Sequence, residues 1–254
     1  MQHLKHMLKS IQRFLKAEQD AAQIFLKFCY FLVTLVVLSC GNQDKSKEPI
    51  TTEAQKTDTT TVVAAASANT ILCFGDSITA GYGLDDTNDA YPAVLQTKID
   101  SLGLDYVVVN SGLSGETTAG GRSRIQWVLK QDIDVFILEL GGNDGLRGIP
   151  LSETRINLQA IIDAVRTKNP EAVIILAGME LPPNMGQDYT SEFRSIFADL
   201  AEINSLPFIP FILKDVGGIA ALNQNDGIHP TVAGHKIVAN TVWEVLETQI
   251  TSGL

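Results

Sequence analysis

Four short stretches carry residue types that could do chemistry together. Ile71-Leu72-Cys73-Phe74 runs straight into Gly75-Asp76-Ser77, and Gly112-Leu113-Ser114-Gly115-Glu116-Thr117 follows some 35 residues later. Gly141-Gly142-Asn143-Asp144-Gly145 is the third stretch, and Asp226-Gly227-Ile228-His229-Pro230 lies near the C-terminal end. A serine hydroxyl is a useful nucleophile only when a neighbouring base takes its proton. Beyond residue 40 the chain offers two histidines, His229 and His235. Gly227 and Pro230 favour a turn around His229. Asp226, three residues before it, could then hold the imidazole Nδ1–H and leave Nε2 to face Ser77. Taken alone, Asp-x-x-His equally describes a local turn hydrogen bond. A metal reading lacks a third ligand cluster, and His235 reads as a surface or packing residue.

Acyl transfer also needs donors aimed at the oxygen that gains charge. The backbone N–H groups of Ser77 and Gly115 and the side-chain amide of Asn143 are the candidates. Gly115 has no Cβ to keep a substrate away from its backbone. Each also has a plain reading, because Gly115 could serve only a turn and Asn143-Asp144-Gly145 is itself a turn signal. Asp76 reads as a residue that orients the serine turn. Glu116 and Asp144 read as loop carboxylates with local hydrogen bonds.

These residues need elements to position them. Apolar runs predict strands over Thr70–Phe74, Tyr106–Asn110, Val135–Leu140, Ala172–Ala177 and Pro207–Pro210. Amphipathic stretches predict helices over Tyr91–Ser101, Arg122–Lys130, Ser152–Lys168, Ser191–Glu202 and Val232–Glu247. In Ser152–Lys168, Ile156, Leu158, Ile161, Ile162 and Val165 form the apolar face, Ser152 serves as cap, and Asn169-Pro170 ends the helix. Alternation of strands and helices, with strands apolar throughout, predicts a parallel sheet covered on both faces: an α/β fold, a three-layer α/β/α sandwich of about five strands. The glycine-rich stretches all follow predicted strands, so they meet at one edge of the sheet, where such folds place their ligands. The loop Leu181-Pro182-Pro183-Asn184-Met185-Gly186 reads either as a pocket wall or as a plain connector.

The N-terminal part has a different character. Residues 1–40 hold five Lys/Arg and two acidic residues, then the apolar run from Phe28 to Leu38, then Ser39-Cys40. A basic segment and an apolar core of 11 residues predict a secretory signal; a membrane span needs roughly 20. Val37-Leu38-Ser39-Cys40 resembles a bacterial lipobox, so Cys40 is the expected lipidation site and the chain an envelope lipoprotein anchored to a membrane. Residues 41–68 are polar and aperiodic, a predicted flexible tether, and residues 69–254 form the predicted folded domain. Beyond residue 40 the chain carries 14 basic against 27 acidic residues. That balance argues against nucleic acid as a partner. Of the cysteines, Cys29 and Cys40 fall in the leader and Cys73 stands alone in the first strand, so no disulfide framework and no cysteine metal site is predicted.

Gly75-Asp76-Ser77-Ile78, Gly115, Gly142-Asn143-Asp144 and Asp226-x-x-His229-Pro230 together resemble the four sequence blocks of the SGNH (GDSL-type) hydrolases, in order. Gly141 to Gly148 and Asp226 to Pro230 are most similar to the bacterial thioesterase I / lysophospholipase L1 / arylesterase branch. The resemblance spans residues 70–250 and departs at Ile78, where the family name has Leu. It implies a flavodoxin-like fold with Ser77 as nucleophile, His229 as base, Asp226 as its orienting partner, and Ser77, Gly115 and Asn143 around the oxyanion. It implies a monomeric hydrolase of acyl esters, thioesters or lysophospholipids that needs no cofactor. A carbohydrate acetylesterase of the same fold, and a lipid- or glycan-binding lipoprotein without turnover, are the competing expectations. The common α/β-hydrolase elbow, Gly-x-Ser-x-Gly, does not fit, because Thr79 stands at its second glycine.

Overall fold

The computed structural model describes residues 68–251. The expected leader with Cys40, and the expected tether up to residue 67, lie outside the described residues. Five strands form one parallel sheet: β1 (Asn69–Gly75), β2 (Tyr106–Gly112), β3 (Val135–Glu139), β4 (Val173–Ala177) and β5 (Phe208–Ile209), in the order β2-β1-β3-β4-β5. Ile71 to Phe74 and Phe136 to Leu138 have no solvent exposure at all. Both faces of these strands are covered, which is why they read as unbroken apolar runs.

Among the described residues, seven α-helices connect and cover the strands: α1 (Ser77–Ala80), α2 (Tyr91–Ser101), α3 (Thr118–Val128), α4 (Gly142–Leu146), α5 (Leu151–Lys168), α6 (Gln187–Asn204) and α7 (Val232–Ile250). α3 packs on α5 and α5 on α6, whereas α2 packs on α7. The three-layer sandwich expected from the alternation of elements is therefore the observed one.

The helix ends differ from the sequence reading in instructive ways. α3 starts four residues before the expected Arg122, with the Thr117 hydroxyl accepting from the Gly120 N–H at 3.3 Å. Gly120 and Gly121 had masked that turn, since glycine is a poor helix former. Ser152 does not cap α5: the helix starts at Leu151 with Pro150 ahead of it, and no side chain caps it. Ile156 is 58% exposed, while Leu158, Ile161, Ile162 and Val165 are buried. Leu151, Thr154 and Asn157 complete that face instead.

The register places the site. Gly75 is level with Gly112 on one side and with Glu139 on the other. The loops that follow β1, β2 and β3 thus leave the same edge of the sheet side by side. Between β1 and β3 the order in which successive strands are added reverses, the switch point where this topology opens a crevice.

Candidate active site

The turn that presents Ser77 is built on a buried carboxylate. Glu139, the last residue of β3, accepts from the Asp76 N–H at 3.1 Å and from the Thr79 hydroxyl at 2.7 Å. Gly75 lies so close above it that a Cβ there would strike Thr79 Oγ1 and Glu139 Oε2. Glu139 is wholly buried, and loss of solvation, reinforced by the nearby Asp76 charge, pushes its pKa well above the ordinary carboxylate value. Asp76 caps α1: its Oδ1 accepts from the Ile78 N–H at 3.0 Å and its Oδ2 from Asn143 Nδ2 at 2.9 Å. Burial raises the Asp76 pKa to about 6 against the pull of these bonds. Asp76 therefore orients the serine turn, as expected, and also holds Asn143. The role of Glu139 was missed; its only signal was one carboxylate at the end of an otherwise apolar run.

Across the crevice, Ser77 Oγ lies 2.9 Å from His229 Nε2, and His229 Nδ1 lies 2.7 Å from Asp226 Oδ2. The other carboxylate oxygen of Asp226 accepts the N–H groups of Ile228 and His229, each at 3.0 Å. These bonds outweigh desolvation and lower the Asp226 pKa to about 2. A charged Asp226 accepts, so Nδ1 carries the proton and Nε2 can accept from the serine hydroxyl. The loop is closed by a bridge between Asn223 and Pro230, and Gln224 Nε2 ties it to the Tyr82 carbonyl at 2.7 Å. The Tyr82 ring leans over the imidazole, centroids 4.7 Å apart.

Gly115 adopts φ +78°, a left-handed conformation that favours glycine, in the loop after β2. Ser77, Gly115, Asn143, Asp226 and His229 all line one cavity of about 850 Å³. Its remaining wall is largely apolar, with Ile78, Leu146, Met179, Leu181, Phe211 and Leu213. Leu181, Pro182 and Pro183 contribute to that wall, which makes the proline-rich loop more than a connector. Among the described residues, no group of three or more His, Cys, Asp and Glu could hold a metal ion.

Comparison with known proteins identifies the family. Residues 73–237 match the model of the GDSL-like Lipase/Acylhydrolase family. The chain belongs to that family. Esterase TesA of Pseudomonas aeruginosa is 38% identical over 72% of this chain and 90% of its own length. Thioesterase 1/protease 1/lysophospholipase L1 of Escherichia coli is 36% identical over 72% of this chain and 86% of its own length. Among solved structures, the psychrotrophic esterase EstA of a Pseudoalteromonas species, inhibited by monoethylphosphonate, superposes with a TM-score of 0.67 at 32% identity, covering 71% of this chain and 97% of that one.

Two side chains of this GDSL-like domain, Asp144 and Glu116, reach further than the local hydrogen bonds expected of them. Asp144 is buried, and it accepts from Thr118, 26 residues away, through both N–H and hydroxyl. It thereby joins α4 to α3. Glu116 pairs with Arg124, which also donates to the Ser111 carbonyl at 2.8 Å. Cys73 is a buried core thiol, as expected, its pKa pushed up to about 12 by burial.

His235 is not at the surface. It is 1% exposed, and its Nδ1 accepts from the Tyr91 N–H at 3.3 Å. Burial lowers its pKa to about 4, against the attraction of Asp89 and with the repulsion of His229. The unfolded chain therefore takes up this proton first as pH falls. The neutral histidine's contribution to stability is intact above about pH 6.5 and is lost progressively toward pH 4, by up to about 3 kcal/mol. In urea unfolding, the advantage of the wild type over His235→Gln should shrink by that order between pH 7 and pH 4. A difference that does not change with pH would contradict a buried, neutral His235.

Proposed function

We propose that this chain is a serine esterase that hydrolyses acyl esters or thioesters through an acyl-enzyme. The observation that carries the reading is the relay Asp226–His229–Ser77, at 2.7 and 2.9 Å, opening into a largely apolar cavity. In this reading Ser77 Oγ attacks the carbonyl carbon while His229 Nε2 takes its proton. The imidazolium so formed is held against the Asp226 carboxylate and gives its proton to the leaving alkoxide or thiolate. Water then attacks the acyl-serine, His229 takes a proton from it, and the acid leaves as Ser77 recovers its hydrogen. The oxygen that becomes negative in both steps faces the N–H groups of Ser77 and Gly115 and the Asn143 amide. N–H donors held in place in this way are worth little in water and much more in a dry crevice.

The relatives named esterase and thioesterase support an acyl substrate. The cavity volume lies within the range of roughly 300–1,000 Å³ that small-molecule sites occupy, and its apolar wall suits an acyl chain better than an acetyl group alone. The leader and Val37-Leu38-Ser39-Cys40 support attachment through lipid on Cys40 at a bacterial membrane. One experiment addresses both points: p-nitrophenyl esters from acetate to palmitate are assayed with the full chain expressed in a bacterium, in membrane and soluble fractions. Activity rising beyond acetate, sedimenting with membranes and becoming soluble in Cys40→Ala is the expected result. Activity on acetate alone would favour a deacetylase. No hydrolysis of any ester or thioester by folded protein would remove the esterase reading.

A further inference from the structure

We infer that Arg147 is a positioning residue for the oxyanion donors, locking Asn143 and Gly115 into one arrangement. The inference rests on the ester-hydrolase reading above and concerns how that site is held.

The Asn143 amide has two hydrogens and one oxygen to place. Asp76 Oδ2 accepts one hydrogen at 2.9 Å, and Arg147 Nη2 donates to the oxygen at 3.1 Å. A carboxylate on one side and a guanidinium on the other define the orientation, because a flipped amide would set oxygen against carboxylate and N–H against guanidinium. The second Nδ2 hydrogen is what remains for a substrate oxygen. The same Arg147 Nη2 donates to the Gly115 carbonyl at 3.0 Å. Gly115 stands 32 residues earlier, in a loop from a different strand. A glycine at φ +78° has no side chain with which to anchor itself, so its orientation depends on outside contacts. One guanidinium nitrogen thus spans the two donors that come from separate strands.

Local structure places Arg147 for this. It ends α4, its N–H donates to the Asn143 carbonyl at 3.2 Å, and its side chain returns over the same residue four positions back. Arg147 is not among the residues that line the cavity, and it is exposed. It can therefore act on the reaction through Asn143 and Gly115 without touching the acyl chain. Neither of its two side-chain bonds serves the core, where truncation would unfold the domain.

Donors that meet the oxygen only as it gains charge affect kcat and not substrate affinity. Arg147→Ala and Arg147→Met should lower kcat roughly 10- to 100-fold, the scale of a misplaced catalytic group. KM and the thermal midpoint should stay close to wild type, and Arg147→Lys should recover part of the loss. Asn143→Ala should cost roughly 10²–10³ in kcat. Adding Arg147→Ala to it should cost only a further factor of about two to three, well short of the product of the single losses, because most of the effect of Arg147 passes through Asn143. Kinetics of the five variants beside the wild type and Ser77→Ala make the test. A wild-type rate that Ser77→Ala abolishes, with Arg147→Ala unchanged, would overturn the role of Arg147 alone. So would a raised KM at constant kcat, fully multiplicative losses, or a thermal midpoint that falls in step with activity across the Arg147 variants. An active Ser77→Ala would instead sink the reading on which the inference rests.

Discussion

Replacing Ser77 by alanine should lower kcat for ester hydrolysis by roughly 10⁴–10⁶. The oxygen removed is the atom that would form the acyl bond, and among the described residues no other hydroxyl is hydrogen-bonded to His229 Nε2. The loss should be confined to kcat. Ser77 is the first residue of α1, and the turn beneath it is held by Asp76 and Glu139 through groups that the substitution leaves in place. The thermal midpoint should therefore move little. Steady-state kinetics on a p-nitrophenyl ester, with calorimetry of the same preparations, make the check. A folded variant within tenfold of wild type would rule out Ser77 as nucleophile.

Replacing His229 by alanine should cost about as much, on the order of 10⁴–10⁶ in kcat. Without a base at 2.9 Å the serine hydroxyl keeps its proton, and the leaving group has no acid to receive one from. The two residues act as a unit. A chain with both Ser77→Ala and His229→Ala should therefore be no slower than either alone, since the rate that remains belongs to the cavity and the oxyanion donors. Single and double variants assayed side by side decide it. Losses that multiply would mean that the two side chains serve separate steps. Against desolvation, hydrogen bonds from His229 and Ile228 lower the Asp226 pKa to about 2, so near neutral pH it is a carboxylate able to hold the imidazole in this tautomer.

Much of this arrangement was legible in the sequence for a simple reason. Strands buried on both faces write themselves as unbroken apolar runs, and Ile71 to Phe74 and Val135 to Leu138 did so. Parallel strands then carry the loops that follow them to one edge, so the sequence alone groups Ser77, Gly115 and Asn143. Asp226 and His229 needed only a turn between them. What could not be read depended on register and on packing across the fold. Glu139 looked like the end of a strand, and only the pairing of Gly75 with Glu139 puts its carboxylate under the nucleophile turn. Arg147 drew no reading of its own, because its partners Asn143 and Gly115 belong to two different strands' loops. Val238, Val242 and Leu246 at helical spacing mark the face of α7 that carries His235 as a packed one, but its partner, the Tyr91 N–H 144 residues away, could not be read from the local sequence. Ile156 erred in the opposite direction: it was apolar and near the right spacing, yet it lies on the solvent side of α5.

The most direct measurement uses a p-nitrophenyl alkylphosphonate on the full chain. Attack by Ser77 Oγ forms an oxygen–phosphorus bond and releases nitrophenolate, leaving a tetrahedral adduct that water does not readily remove. The expected result is one nitrophenolate released per active chain, loss of esterase activity in parallel, and the added mass on the peptide that contains Ser77. Ser77→Ala should take up none. An enzyme that keeps its activity after exposure, or that carries the adduct on another residue, would contradict the assignment of Ser77 as the nucleophile.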